Sequence, residues 1–283
     1  METSIAISET SVRRVSANGT ADHFDDALAV EEPLEIRVGF DSDVRRVHKA
    51  ISITMRTPGD DESLAVGFLF TEGIIKSRDQ IASVQHCGKP SPDKGIRNTI
   101  RVELSDGVDV DLKRLERHFY TTSSCGVCGK SSIEALQTGA TKITNVGPTV
   151  SAEIIHELPA SGIASQSTFE KTGGLHASVL FDPAGKIEAL AEDVGRHNAL
   201  DKVIGKKFRS GEVPLSNNIL LVSGRASFEL VQKALMAGIP IMAAVGAPSS
   251  LAVELARECG MTLIGFVRDG RFNIYSGEQR VIK

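Results

Sequence analysis

The sequence predicts an α/β protein in two parts, a smaller N-terminal strand-rich α+β unit followed by a three-layer α/β/α unit. Two patterns carry this expectation. Up to about residue 115 apolar residues mostly alternate with polar ones at the strand period, with one helical segment among them. From about residue 155 strands and helices take turns, a hairpin first and crossover units after it, which implies a mixed sheet covered on both faces. A chain of 283 residues is long enough for two such units.

Residues 1–28 are polar, lack sustained periodicity and contain Asn18-Gly19, so they read as a flexible tail. The α+β unit is placed over 29–118. Leu34, Ile36, Val38 and Phe40 alternate along one strand, and Ile51, Ile53 and Met55 along the next, which stops at Pro58-Gly59. Asp60 or Asp61 can cap a helix through Leu64–Phe70, with Gly73 as its stop. Two more alternating runs, Thr99–Leu104 and Val108–Leu112, flank the turn Ser105-Asp106-Gly107. A cysteine loop, a helix and a linker fill 119–150. The α/β unit takes 151–283. In it we expect a helix over Pro159–Lys171, strands Ala177–Phe181 and Ile187–Ala191, and a helix over His197–Lys207. Strand Asn218–Val222, helix Phe228–Ala237 and strand Ile239–Val245 follow. Helix Ser250–Cys259 and strands Thr262–Val267 and Phe272–Tyr275 close the chain.

Composition excludes several classes. Lys and Arg number 32 against 36 Asp and Glu, a net charge of -4, so no general positive excess holds this chain to nucleic acid. Aromatic residues make up 5% and Trp is absent, too few rings for a base-stacking platform. The polar, acidic start lacks the features of an export signal, and the longest apolar stretch, 239–247, is about half of a membrane span. A cytoplasmic, reducing setting is therefore expected. There a Cys pair is more often chemical than structural.

The pair is Cys125 and Cys128, in His118–Lys130, a run rich in Ser, Thr and Gly. Ser131 and Glu134 fit a capping box that opens a helix ending at Gly139. A helix N-terminus and Lys130 both favour thiolate over thiol, and thiolate is the form that attacks sulfur or carries it. Three readings compete. As a zinc site the pair is half a site, because Cys87 and Cys259 are solitary and no second C-x-x-C exists. A thioredoxin-like dithiol would follow the first strand of a βαβ unit rather than lie between two domains. A sulfur carrier needs an exposed thiol of low pKa on a mobile loop. Cys87 and Cys259 read as core, the latter at the apolar end of a helix.

The element order of the second unit resembles the cytidine deaminase fold. Zinc deaminases carry His-x-Glu at one helix start and Pro-Cys-x-x-Cys at the next. Here those starts read Glu192–Ala199 and Ser223–Glu229; the second has no Cys, and Ala199 stands where the proton-shuttling Glu would be. What remains is a cleft of helix starts with Gly195, Arg196, His197, Asn198, Ser223, Gly224 and Arg225, residue types suited to anions. The ordinary alternative is an N-cap at Asn198, a packed His197 and solvated Arg196 and Arg225. His176 can reach the same cleft. Further on, Phe266 can stack on a base, and Asp269, between Arg268 and Arg271, can accept from the N–H groups of guanine; a plain hairpin turn is the alternative.

Taken together, these stretches resemble the FdhD family of formate dehydrogenase accessory sulfurtransferases. The matching residues are Glu31–Leu34, Thr57–Asp61, Gly67–Gly73, Ser123–Lys130, Thr172–His176, Glu192–Lys202, Val222–Ser227 and Gly246–Ala252. The resemblance implies a sulfur carrier loaded by a cysteine desulfurase. It would pass the sulfur to molybdenum in bis(molybdopterin guanine dinucleotide) before that cofactor enters apo-formate dehydrogenase. It further implies Cys125 as the persulfide carrier with Cys128 assisting, cofactor contacts at Phe266, Val267, Arg268, Asp269, Gly270 and Arg271, and a homodimer. No structural zinc is expected.

Overall fold

Residues 7–29 form an antiparallel hairpin, β1 (Ile7–Val15) with β2 (Ala21–Ala29), where a flexible tail was expected. Its apolar residues are thinly spread, so the strand period is faint. The usable signal was Asn18-Gly19, a dipeptide suited to hairpin turns, and here the Gly19 N–H donates to the Ser16 carbonyl. The computed structural model describes residues 5–19, 21–42, 45–92, 94–108, 110, 142–143 and 147–283.

Strands β3 (Glu32–Asp41), β4 (Arg46–Arg56), β5 (Ile81–His86) and β6 (Thr99–Leu104) make a sheet of order β4-β3-β6-β5, with β3 and β6 parallel. Leu34, Ile36, Val38 and Phe40 are buried, as their alternation requires. Strand β5 escaped the sequence reading because its two partly buried apolar residues, Ile81 and Val84, are three apart and break the period of two. The strand expected at Val108–Leu112 is not one over its described part. Val108 and Val110 pack on the core outside any strand. Helix α1 (Asp61–Thr71) begins with Asp60 at its N-cap position in a left-handed conformation. Asp61 is instead clasped by the fully buried Arg56 through two 2.9 Å bonds and by His86 Nε2 at 2.9 Å.

The second unit opens with β7 (Val150–Ser151) and α2 (Ala152–Ala164), whose Ser151 hydroxyl accepts the Ile154 N–H at 3.3 Å. The helix expected over Pro159–Lys171 thus starts seven residues earlier and keeps Pro159 inside. After a break at Ser165 and Gln166 the chain resumes as α3 (Ser167–Thr172). The hairpin strand β2 lies against α3. There follow β8 (His176–Phe181), β9 (Ile187–Asp193), α4 (Arg196–Arg209), β10 (Ile219–Val222) and α5 (Phe228–Met236). Then come β11 (Ile241–Ala244), α6 (Ser250–Glu258), β12 (Thr262–Arg268), β13 (Arg271–Ser276) and β14 (Val281–Ile282). The six-stranded sheet runs β13-β12-β11-β10-β8-β9, with β10, β11 and β12 parallel and the hairpins antiparallel. Val179, Phe181, Ile219, Leu221 and Ile264 face α2, whereas Leu180, Leu220, Val222, Met242 and Leu263 join α4, α5 and α6 in the main core. This is the expected mixed α/β arrangement, with helices on both faces of the sheet. No helix among the described residues is long and apolar enough to cross a membrane.

That main core also takes in Leu34, Ile36, Leu64 and Leu69, so the first unit's sheet and helix share it with the second. The seam expected near residue 118 lies outside the described residues. The two units meet where α1 crosses α4 backbone to backbone. A Cβ on Gly67 would stand 1.9 Å from the Asp201 carbonyl oxygen, and one on Gly205 1.9 Å from that of Ser63. Beside the crossing, the Lys233 ammonium of α5 is 2.9 Å from Asp201 Oδ2 on α4, and 2.8 Å from Thr71 Oγ1 and 3.2 Å from Glu72 Oε1 at the end of α1, a buried charge that joins three helices.

Gly67→Ala should therefore force the helices apart. We expect a loss of at least about 1–3 kcal/mol, the usual range for overpacking, read as a lower melting temperature. An unchanged melting curve would show that the crossing tolerates a methyl group.

Candidate functional site

Strands β9, β10, β11 and β12 all point the same way, because β8 is antiparallel to both β9 and β10. Their carboxyl ends line one edge, with His176 at the start of β8 among them. Helices α4, α5 and α6 begin just beyond, aiming N–H groups and positive dipole ends at that edge, the usual ligand face of an open α/β sheet. The loops there are tied in a row. Ser223 N–H donates to Ala177 O (3.0 Å), Gly246 N–H to Gly224 O (3.0 Å) and Phe266 N–H to Gly246 O (3.1 Å). Glycine at 246 suits this close row, since a Cβ there would come 3.0 Å from Gly224 O and 3.1 Å from the Arg225 backbone. At the usual strand spacing, the four steps from β9 to β12 span about 19 Å.

At the β9 end sit Arg196, His197 and His176. His197 Nε2 is enclosed, has no hydrogen-bond partner and lies 3.9 Å from Glu229 Oε2, beyond hydrogen-bond reach. Burial, then the positive charges of Lys233 and Arg196, lower its pKa to about 4, so the imidazole is neutral near pH 7. Burial and the Arg196 charge also push His176 below the ordinary value. Ser178 Oγ, Arg196 Nε and Ser227 Oγ are further buried polar atoms without a partner, and all belong to this end of the sheet. Arg225 is exposed on the next loop. Thus the structure brings His197, His176, Arg196 and Arg225 to one end of the edge, as the sequence reading expected.

Asn198 is a correction. It is not the N-cap, which is Gly195, and its polar atoms have internal partners. Its amide donates to Met55 O at 2.7 Å and Asp193 Oδ1 at 3.0 Å, and its oxygen accepts from Thr54 Oγ1 at 3.1 Å. It holds the joint between the units instead of facing a ligand.

The β12 end carries the expected turn. Among the described residues three non-glycines have positive φ, and two of them are here, Phe266 at 57° and Asp269 at 55°. A left-handed conformation at a bulky residue is strained by about 1–3 kcal/mol and persists only where its surroundings impose it. At Phe266 the imposing features are its bond to Gly246 and the irregular register between Gly265 and Arg268. The Arg268 guanidinium lies 5.6 Å from the Phe266 ring centre, and its Nε 3.7 Å from Asp269 Oδ2. Asp269, Gly270 and Arg271 are exposed. Val267 is a second correction, for its side chain is fully buried in the core against α2 and only its backbone belongs to the edge.

Cys125 and Cys128 lie outside the described residues. Cys259 is buried as expected, with its thiol pKa raised by burial, and Cys87 is half-buried. Sequence reasoning missed the roles of Thr57 and Asp193, which bind the first unit to the start of α4. Asp193 sits in an otherwise ordinary alternating strand, and only a three-dimensional view shows its carboxylate pointing inward.

His197 gives a pH dependence with a definite sign. Its folded pKa of about 4 lies below the ordinary 6.5, so on acidification the unfolded chain takes up a proton that the folded one refuses. Stability should fall as pH drops from about 6.5 towards 4, and His176 acts in the same direction. In His197→Gln the fall in denaturation midpoint between about pH 7 and pH 5 should be shallower. An identical slope in the variant would contradict this assignment.

The sequence profile of the FdhD/NarQ family matches residues 29–282. The sulfur carrier protein FdhD of Streptomyces avermitilis is 49% identical over 259 residues, 90% of this chain and 89% of that one. The protein of the same name from Mycolicibacterium paratuberculosis is 48% identical over 96% of this chain and 98% of its own. Among solved structures, a chain described as a formate dehydrogenase accessory protein from Desulfotalea psychrophila superposes with a TM-score of 0.73. It covers 98% of this chain and 100% of its own at 24% identity, which supports the fold. By profile and by identity, this chain belongs to the FdhD/NarQ family.

Proposed function

We propose that this protein is a sulfurtransferase of the carrier type. It takes a sulfane sulfur from a cysteine desulfurase onto Cys125 and delivers it to molybdenum in bis(molybdopterin guanine dinucleotide), before that substrate enters apo-formate dehydrogenase. Kinship supports the sulfur half, since relatives nearly half identical over most of the chain are named sulfur carriers, and this chain holds Cys125-Gly126-Val127-Cys128. One structural observation carries the ligand half, the hydrogen-bonded row of loops that ties the start of β8 to the carboxyl ends of β10, β11 and β12, with the end of β9 beside it. An edge about 19 Å long suits an extended ligand with several polar parts better than a single small anion. At one end Arg196, Arg225 and the start of α5 offer donors to phosphate oxygens, and at the other Phe266 and Asp269 offer a ring face and a carboxylate to guanine. The unpartnered Arg196 Nε, His197 Nε2 and Ser227 Oγ fit an edge whose polar atoms await partners.

The chemistry is thiol exchange. The Cys125 thiolate attacks the terminal sulfur of the desulfurase persulfide, forming Cys125–S–SH and releasing the desulfurase thiolate. Attack by the Cys128 thiolate on the Cys125 sulfur then forms a Cys125–Cys128 disulfide and releases hydrosulfide for the metal. A thiol reductant later returns the pair with two electrons. We place this chemistry in the reducing cytoplasm, with the protein as a homodimer.

Intact-mass measurement after incubation with a cysteine desulfurase and cysteine should show a labile one-sulfur adduct, absent in Cys125→Ala. No adduct on the wild-type chain would sink sulfur carriage and favour a chaperone that only binds the cofactor. For the ligand half, guanosine diphosphate should bind the wild-type chain. Asp269→Ala should weaken it at least about tenfold, the worth of hydrogen bonds to a charged acceptor.

A further inference from the structure

Thr57 is the first residue beyond β4, so it belongs to the first unit, yet its polar groups are bound to the second. Its N–H donates to Asp193 Oδ2 at 3.2 Å, its carbonyl accepts from Lys202 Nζ at 2.8 Å, and its hydroxyl accepts from Val194 N–H at 3.2 Å. Asp193, fully buried at the end of β9, also accepts from Gly195 N–H at 2.8 Å and from the Asn198 amide at 3.0 Å. The Lys202 ammonium, from the second turn of α4, closes the set at 2.8 Å from Asp193 Oδ2. A buried carboxylate and a buried ammonium are tolerated because each has several partners, and removing one leaves the others short. The outcome is geometric. The segment Val194–Gly195, which delivers Arg196 and His197 to the ligand edge, is fastened on one side to its own helix and on the other to Thr57.

We infer that Thr57, Asp193 and Lys202 form a latch through which the first unit positions Arg196 and His197 for the ligand. They are positioning residues, for their own polar atoms are buried and bound to one another and to the segment 194–198. The inference deepens the proposed function and rests on that reading for the identity of the ligand, while the latch itself rests on the bonds above. It gives the first unit a role beyond shared packing, that of setting the alignment of the edge in the second.

The test uses Thr57→Val and Thr57→Ser in the full chain. Val keeps the shape and both backbone bonds but removes the acceptor for Val194 N–H, while Ser restores it. Amide hydrogen exchange over residues 194–198 should quicken in Thr57→Val and return close to the wild-type rate in Thr57→Ser. Exchange in β10 and β11 should not change. Affinity for guanosine diphosphate should fall roughly tenfold in Thr57→Val, as for loss of one buried hydrogen bond, and recover in Thr57→Ser. Unchanged exchange at 194–198 in Thr57→Val overturns the latch. Quickened exchange with unchanged affinity overturns its role in ligand positioning. If exchange quickens equally across the whole fold, Thr57 is merely structural and the inference falls. If the wild-type chain does not bind guanosine diphosphate, the ligand half falls together with the proposed function, and the exchange comparison still decides the latch.

Discussion

The ligand edge depends on a contact that no side chain mediates, the crossing of α1 over α4 at Gly67 and Gly205. Because both backbones approach without a Cβ between them, α4 is held close to the first unit along much of its length. Helices packed through side chains can adjust by rotamer changes, but a backbone-to-backbone crossing has little slack. The start of α4 therefore inherits its position from α1 and from the β4 chain end that precedes it.

That constraint explains where the buried charges lie. Asp201 of α4 and Lys233 of α5 flank the crossing, and Lys202, the next residue of α4, reaches Asp193 at the end of β9, beside the start of the helix. Apolar pairs of similar volume could pack these places about as stably. Ion pairs with several fixed hydrogen bonds add direction, which apolar contacts lack. The Asp193 carboxylate accepts from two units at once only in one relative placement, so the charges serve alignment more than net stability.

Much of this was legible in the sequence wherever periodicity carried the structure. Strands β3 and β6, the hairpin β8–β9 and the helices α4, α5 and α6 fall within a few residues of their expected places, because their apolar faces point to a single core. Legibility failed where burial was partial or polar. The β1–β2 hairpin and β5 have too few apolar residues to show a period. The start of α2 depended on a Ser151 cap placed before a segment whose Pro159 resembled a helix start. At the site, residue types announced an anion edge, but Asn198 and Val267 could not be sorted from their neighbours. Whether a side chain on a helix start or a strand end faces a ligand or the interior depends on which element packs over it.

The net charge of -4 and the anion-suited edge are compatible because the attraction is local. With His176 and His197 both held below the ordinary pKa, the imidazoles add no positive charge near neutral pH, and the field there comes from guanidinium groups and oriented backbone N–H groups. Such a field is carried by fixed geometry, so it acts only on a ligand whose charges arrive where the donors already point. Small ions in the surrounding solution meet one or two donors at a time and gain little. Under the proposed function, an extended ligand that spans the row from Arg196 to Asp269 would meet both ends together, and each end it engaged would raise the effective concentration at the other. Selection by length in this manner requires a rigid row, and the chain of backbone bonds from Ala177 through Gly246 to Phe266 supplies that rigidity.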